Sequence, residues 1–317
     1  MATSLSMNTS YAGESAGKYI GAGLLAAPTI ANENVTVKPN VLYKQVVKTN
    51  SDNGIIKDAT CDFTATSTVT IAERVLQPKE LQINLQFCKK DFVQDWNAIE
   101  LGYSANKVVP KTFSDFVSAR VAEQVASANE TSIWVGATGT SGQFDGFDTL
   151  IALDANLPAA QEVAGTTVTS SNVQAELGKI VDALPARLYG RPDLKLYVSS
   201  NIYRAYVRAL GGFAASGVGA NGVDNKGTMW FNGQEVFFDG IPVVLCPGKA
   251  NNTAMLTYKD NLWFGTGLLS DTQEVSLIDM SPIDGSQNFR YVMRYTAGVQ
   301  YGFAGDIVTY GITNSAN

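Results

Sequence analysis

The stretch TFSDFVSARVAEQVASANETSIW, Thr112–Trp134, decides the architecture. Phe113, Phe116, Val117, Val121, Val125 and Ala128 recur in steps of three and four, which places them on one stripe of an α-helix. Pro110 stops whatever precedes it, Thr112 is placed to cap the first turn, and Asp115 sets a negative charge near the positive end of the helix dipole. Asn129, Glu130 and Thr131 read as polar residues at a fraying end, just before the loop GATGTSGQFDG (136–146). About twenty helical residues span roughly 30 Å. The flanking segments read as β-rich material laid along this rod.

On its N-terminal side, Val41–Val47 is an apolar β-prone run and TNSDNG (49–54) a dense turn signal. A second β-prone run covers Thr66–Leu76. After Pro78, the residues Leu81, Ile83, Leu85 and Phe87 alternate with Gln82, Asn84, Gln86 and Cys88, the pattern of a half-buried strand. Together these runs predict an extended hairpin over 41–87, and Asp91–Asn97 a short helix leading to the rod. Residues 1–40 are small and polar with no sustained period, which suits an extended arm. Within that arm YIGAGLLAAPTI (19–30) lacks the basic flank and the apolar continuity of a signal peptide. No run approaches the roughly 20 apolar residues of a membrane span.

Beyond the rod, Phe147–Leu153 is apolar and SNVQ (171–174) is a capping-box pattern opening a second helix, with Val173, Leu177, Ile180, Val181 and Leu184 on one face and Pro185 ending it. Leu194–Val198 reads as a strand. Ser200 or Asn201 then caps a third helix bearing Ile202, Tyr203, Tyr206, Val207 and Leu210. With Glu235–Cys246, folded through an Asp239-Gly240 turn, this block forms a separate α/β unit. The last third returns to β structure. Phe289, Tyr291, Met293, Tyr295, Ala297, Val299 and Tyr301 share one face of a long strand, or of a strand bent at Gly298, and Arg290 and Arg294 share the other. Ile307–Tyr310 is the closing strand.

Composition narrows the chemistry. Of 317 residues 45% are hydrophobic, enough for a sizeable core, while only 16% are charged against roughly 25% in ordinary domains. That scarcity suits a surface that meets other copies. The chain has no histidine, which removes Ser-His-Asp and Cys-His nucleophiles and HExxH zinc sites. A net charge of −6 without a dense basic run argues against tight nucleic-acid binding. Cys61, Cys88 and Cys246 are odd in number and form no CxxC, so neither a disulfide framework nor structural zinc is indicated.

The remaining motifs are weak. Gly217, Gly219 and Gly222 spell GxGxxG, but a helix precedes them and a strand-like Met229–Phe238 follows, the reverse of a dinucleotide site. Gly248-Lys249-Ala250 lacks the rest of a P-loop. Asp145, Asp148 and Asp154 lack calcium-loop spacing and read as turn carboxylates; a hydrolase using Asp145 and Asp148 is the enzyme alternative. The aromatic face of the long strand reads as sheet packing. Arg290 and Arg294, planar and permanently charged, are the candidates for contact with a neighbouring chain.

The blocks DGIPVV (239–244), AMLTY (254–258), LWFGT (262–266), QEVSLIDM (273–280) and NFRYVMRYTAGVQYG (288–302) resemble major capsid proteins of tailed double-stranded DNA bacteriophages. CDFT (61–64), the strand from Leu81 to Phe92 and PKTFSDF (110–116) resemble the same group, so the likeness touches most of residues 41–310. It implies an α+β fold with an N-terminal arm (1–40), an extended hairpin loop (41–87), a peripheral domain with a long spine helix (88–155), an axial domain (156–265), and returning peripheral strands with a closing strand (266–317).

It further implies no catalysis and no cofactor or metal. Copies would assemble as hexamers and pentamers into an icosahedral virion shell in the host bacterial cytoplasm, enclosing double-stranded DNA without sequence-specific contact and without a membrane. Portal, decoration and separate scaffolding proteins are the implied partners, since the chain leaves no room for a scaffolding region before the arm. Some members cross-link through a Lys and an Asn, and Lys57, near the expected loop, is the positional candidate for an inter-subunit contact. An encapsulin-like compartment and a tail or decoration protein are the structural alternatives.

Overall fold

The computed structural model describes residues 27–41, 43–52, 56, 58, 59, 61, 69–88, 111–210, 236–267 and 275–316. The greater part of the arm, the tip of the hairpin with Lys57, the helix expected at 91–97 and the glycine motif at 217–222 lie outside them. A short helical turn α1 (Pro28–Ala31) comes first, and the rod is helix α2 (Lys111–Val135), within a residue of its expected ends. Its buried stripe differs from the expected one in its last turns. Val121 and Val125 are buried as predicted, but Ala128 is exposed and Asn129, Glu130, Ser132, Ile133 and Trp134 are buried. The side chains of Phe113, Phe116 and Val117 lie outside the described residues.

Strand β12 (Asn288–Tyr301) is the axis of the first sheet. Phe289, Tyr291, Met293, Ala297, Val299 and Tyr301 are buried, Tyr295 is half-buried against the same core, and Arg290 and Arg294 are exposed, so the predicted faces are kept; the burial alternation lapses at Gly298, which is buried on the outer side against Pro78. Strand β4 (Lys79–Cys88) lies antiparallel to it, pairing Cys88 with Asn288 and Lys79 with Ala297. β11 (Val275–Asp279) and β10 (Leu262–Thr266) also pair antiparallel with β12, and β1 (Thr36–Lys38) adds in parallel to β10. The hairpin expected over 41–87 is thus divided. β2 (Gln45–Asp52) and β3 (Val69–Leu76) form an antiparallel ribbon, whereas β4 belongs to the body. β2 also runs through Thr49–Asp52, where the composition predicts a turn, because pairing with Val69–Ala72 supplies the hydrogen bonds that a turn would otherwise satisfy.

The second sheet has the order β5-β13-β9-β6-β8-β7, with β5 Glu162–Val163, β6 Leu194–Val198, β7 Val236–Phe238, β8 Ile241–Leu245, β9 Ala254–Tyr258 and β13 Val308–Tyr310. β7 and β8 are joined by the predicted turn, in which Asp239 and Gly240 both take positive φ (47° and 78°), the pairing that suits a strand-twisted two-residue turn. Helices α4 (Val173–Asp182) and α5 (Ser200–Leu210) supply Val173, Leu177, Ile180, Ile202 and Tyr206 to the core beneath this sheet. The capping box at 171–174 does not form. Asn172 turns its Oδ1 to the Thr169 N–H at 2.7 Å instead, and makes no side-chain cap. The closing strand β13 joins this second sheet, beside β9 and β5.

β6 shows how the two halves share a wall. Leu194, Leu196 and Val198 enter the core with α4 and α5, while Tyr197 points the other way, into the core with Trp134 and the inner face of β12. β9 does the same with Leu256 on one side and Met255 on the other. All five residues of β9 are buried, which suits the apolar run Ala254–Leu256, and Thr257 satisfies its hydroxyl by donating to the Asp306 carbonyl at 3.0 Å.

Candidate assembly surfaces and the cluster that anchors them

The C-terminal end of α2 is a dry polar cluster. Thr29, in α1, donates from its N–H to Glu130 Oε2 at 3.0 Å and from its hydroxyl to Oε1 at 2.6 Å, and Trp134 Nε1 donates to the Thr29 Oγ1 at 2.9 Å. Glu130 is therefore the socket for the N-terminal segment rather than part of a frayed end. Its burial follows a step of four from Ala126 to Glu130 to Trp134, all three buried, beside the row Val125, Asn129 and Ile133. Lys249 is fully buried, with Nζ 2.5 Å from Asp148 Oδ1 and 4.3 Å from the centre of the Trp134 ring. Asp148 belongs to a short helix α3 (Phe147–Ile151), and both Phe147 and Tyr197 pack on Trp134 with ring centres 5.5 Å away.

Gly248 makes this approach feasible. A Cβ there would stand 2.0 Å from the Glu130 carbonyl oxygen, so only glycine lets the turn after β8 close on the rod. Desolvation raises the Asp148 carboxyl above its ordinary range despite the opposing pull of Lys249. Burial likewise pushes the Cys246 thiol well up, which leaves it an inert packing residue. Asp145 accepts from the Thr138 N–H at 2.7 Å. It and Asp148 have separate intrachain partners, and among the described residues no group of His, Cys, Asp and Glu could hold a metal ion. No described helix is long and apolar enough to cross a membrane.

A second anchor holds the β2–β3 ribbon. On its inner face Leu76 is fully buried against Gly265, and Arg74 reaches Asp154 at 2.5 Å while its guanidinium lies 4.9 Å from the centre of the Tyr301 ring. Tyr301 donates to the same Asp154 oxygen at 2.7 Å, and Asn156 donates to the other oxygen through its N–H and its amide. Burial works to raise the Asp154 carboxyl, but these hydrogen bonds and that from Arg74 outweigh it, so its pKa falls below the ordinary 3.8.

Among the described residues, three surfaces lie uncovered. The outer face of the ribbon pairs Val46 with Val75 and carries Ile71, which is 64% exposed. A two-stranded ribbon with apolar residues outward is marginal on its own. The outer face of the first sheet sets Arg290 opposite Gln86 and Arg294 opposite Gln82, with Arg290 Nε donating to Gln86 Oε1 at 3.1 Å. These two arginines border a shallow hollow of about 410 Å³ with Asn84 and Val292. A broader groove of about 1050 Å³ runs between α1 and the β7–β8 hairpin, past Arg191, Lys195 and the exposed Tyr189 and Phe237. The sequence places the two arginines on an exposed face, as observed; it gives no sign of the groove, which is assembled from segments far apart in the chain.

Neither a protein-family model nor a curated protein sequence matches the chain. Solved structures do. The capsid of a native GTA particle is 13% identical over 90% of this chain and 96% of that one, with a TM-score of 0.59. Gordonia phage Cozz is 13% identical over 89% and 85%, at 0.56, and the virus-like particle from Pyrococcus furiosus is 10% identical over 92% and 96%, at 0.50.

Proposed function

We propose that this chain, which carries the α+β major capsid fold of tailed phages, is the subunit of an icosahedral shell built from rings of six and five copies around double-stranded DNA. The observation that carries the reading is the β2–β3 ribbon. Its inner face is fixed to the body by Leu76 and Arg74, while its outer face leaves Val46, Val75 and Ile71 uncovered. A neighbouring copy is the natural cover, and repeated many times such contacts close a shell by mass action. Residues 1–40 would act as the arm, the ribbon as the extended loop, α2 with the first sheet as the peripheral unit, and the second sheet with α4 and α5 as the axial unit.

Arg290 and Arg294 would meet acidic or amide groups of the adjoining copy, with Lys57 as a further contact. The net charge of −6 suits a wall that contains DNA without gripping it. Assembly would take place in the host cytoplasm with scaffolding, portal and decoration proteins. The likeness to the virus-like particle from Pyrococcus furiosus favours one second reading, a protein compartment of the same architecture.

Electron microscopy and native mass measurement of the purified chain test the proposal. Rings of five and six or closed shells are the expected result, and nucleic acid within them separates a virion from a compartment filled with protein. A chain that stays monomeric even when co-expressed with its neighbouring genes would overturn it.

A further inference from the structure

We infer that Lys249 and Asp148 are joined in the mature chain by an intrachain amide bond, formed after folding by condensation of the Lys249 amine with the Asp148 carboxyl group. The two groups are in contact, with Nζ 2.5 Å from Oδ1, and water has almost no access: the Lys249 side chain is 0% exposed and that of Asp148 8%. Trp134 covers Nζ, and Phe147 packs against Trp134. Among the described residues, the second carboxylate oxygen, Oδ2, has no hydrogen-bond partner.

As an ion pair this arrangement is poor. Both charges have lost their hydration, and the carboxylate recovers a single hydrogen bond, so attraction is offset by desolvation. Moving a proton from the ammonium to Oδ2 removes both charges and yields the reactants, a neutral amine facing a carboxylic acid. Burial favours that transfer from the acid's side. Nζ then adds to Cγ, the bond from Cγ to the protonated oxygen breaks, and that oxygen takes a second proton from nitrogen and departs as water. Ammonium plus carboxylate becomes amide plus water, with no oxidant or activating group required.

Fixed contact replaces the encounter of two free molecules, and a dry site disfavours the reverse hydrolysis. The bond would close a loop between residues 101 positions apart and clamp α3 to the turn after β8. This inference is independent of the shell reading, since it concerns a single chain.

The test is the intact mass of the purified chain under fully denaturing conditions, followed by fragmentation of a protease digest. The wild-type chain is expected to be lighter than its sequence by one water, with the peptide containing Asp148 joined to that containing Lys249. Asp148→Asn is expected to lose ammonia instead and reach the same final mass, and Lys249→Arg to keep its full mass. A full-mass wild type with both peptides linear would overturn the inference. So would a water loss that maps elsewhere, for example to succinimide at Asp145-Gly146 or Asp239-Gly240.

Discussion

The end of α2 and the β2–β3 ribbon put their polar and apolar residues to opposite uses. At the rod end, Glu130, Asp148 and Lys249 are buried and the aromatic rings around them are covered. On the ribbon, Val46, Ile71 and Val75 face outward and the buried contacts are few, Leu76 and the Arg74–Asp154 pair chief among them. The first region is complete within one chain, and the second, under the proposed function, is completed by a neighbouring copy. Substitutions at the rod end should therefore act on folding, and those on the outer ribbon on assembly.

The largest effect is expected from Lys249→Ala. With or without the amide bond inferred above, it strands the Asp148 carboxyl in a desolvated site and should cost about 3–5 kcal/mol, the range for removing one partner of a buried pair, measured by denaturant unfolding of the isolated subunit. Thr29→Val should cost less, about 1–3 kcal/mol, because it takes the Oγ1 bonds to Glu130 and Trp134 but keeps the backbone one. Hydrogen exchange in α1 would report the loss. If either variant unfolded normally yet failed to assemble, the division between the two regions would be wrong.

The reverse case is Ile71→Asp. Subunit stability should stay within about 0.5 kcal/mol, as for surface changes generally, while shell formation measured by sedimentation should be lost. Acid probes the joint between ribbon and body. Asp154 has a folded pKa below its ordinary 3.8, so the latch contributes fully above that value and is lost as pH falls through the folded one. Hydrogen exchange along β3 should therefore rise below about pH 4 before the second sheet opens, and Arg74→Ala should blunt that pH dependence. The smallest effect on the subunit belongs to Arg290→Ala with Arg294→Ala. Unfolding should be unchanged, and assembly should weaken most at low salt, where exposed charges act furthest.

Much of the fold was legible because long elements declare their period. β12 kept its inward aromatics and outward arginines over its whole length, and α2 ended where its pattern ended. Partnership was less legible. β4 alternates like half of a hairpin, and nothing local says that its partner is β12 rather than β3. The rod-end cluster was hidden for a different reason: Glu130 resembles a residue at a helix terminus and Asp148 a turn carboxylate until Thr29 and Lys249, each 101 positions away, are brought against them. The exposure of Arg290 and Arg294 was legible because two charges on one face of an apolar strand need a solvent-facing side.

The pairing of β4 with β12 also sets a schedule. Cys88 meets Asn288, and Thr36 of β1 meets Trp263, so both early strands wait for partners made about two hundred residues later. At synthesis rates of about 5–20 residues per second, that wait lasts on the order of 10–40 seconds. Throughout it β4 presents an unpaired edge to every other nascent chain nearby. A subunit produced in great number from clustered ribosomes would meet this hazard at its worst, and the run of glutamines and asparagine on β4, Gln82, Asn84 and Gln86, keeps one side of that waiting strand wettable until its partner arrives.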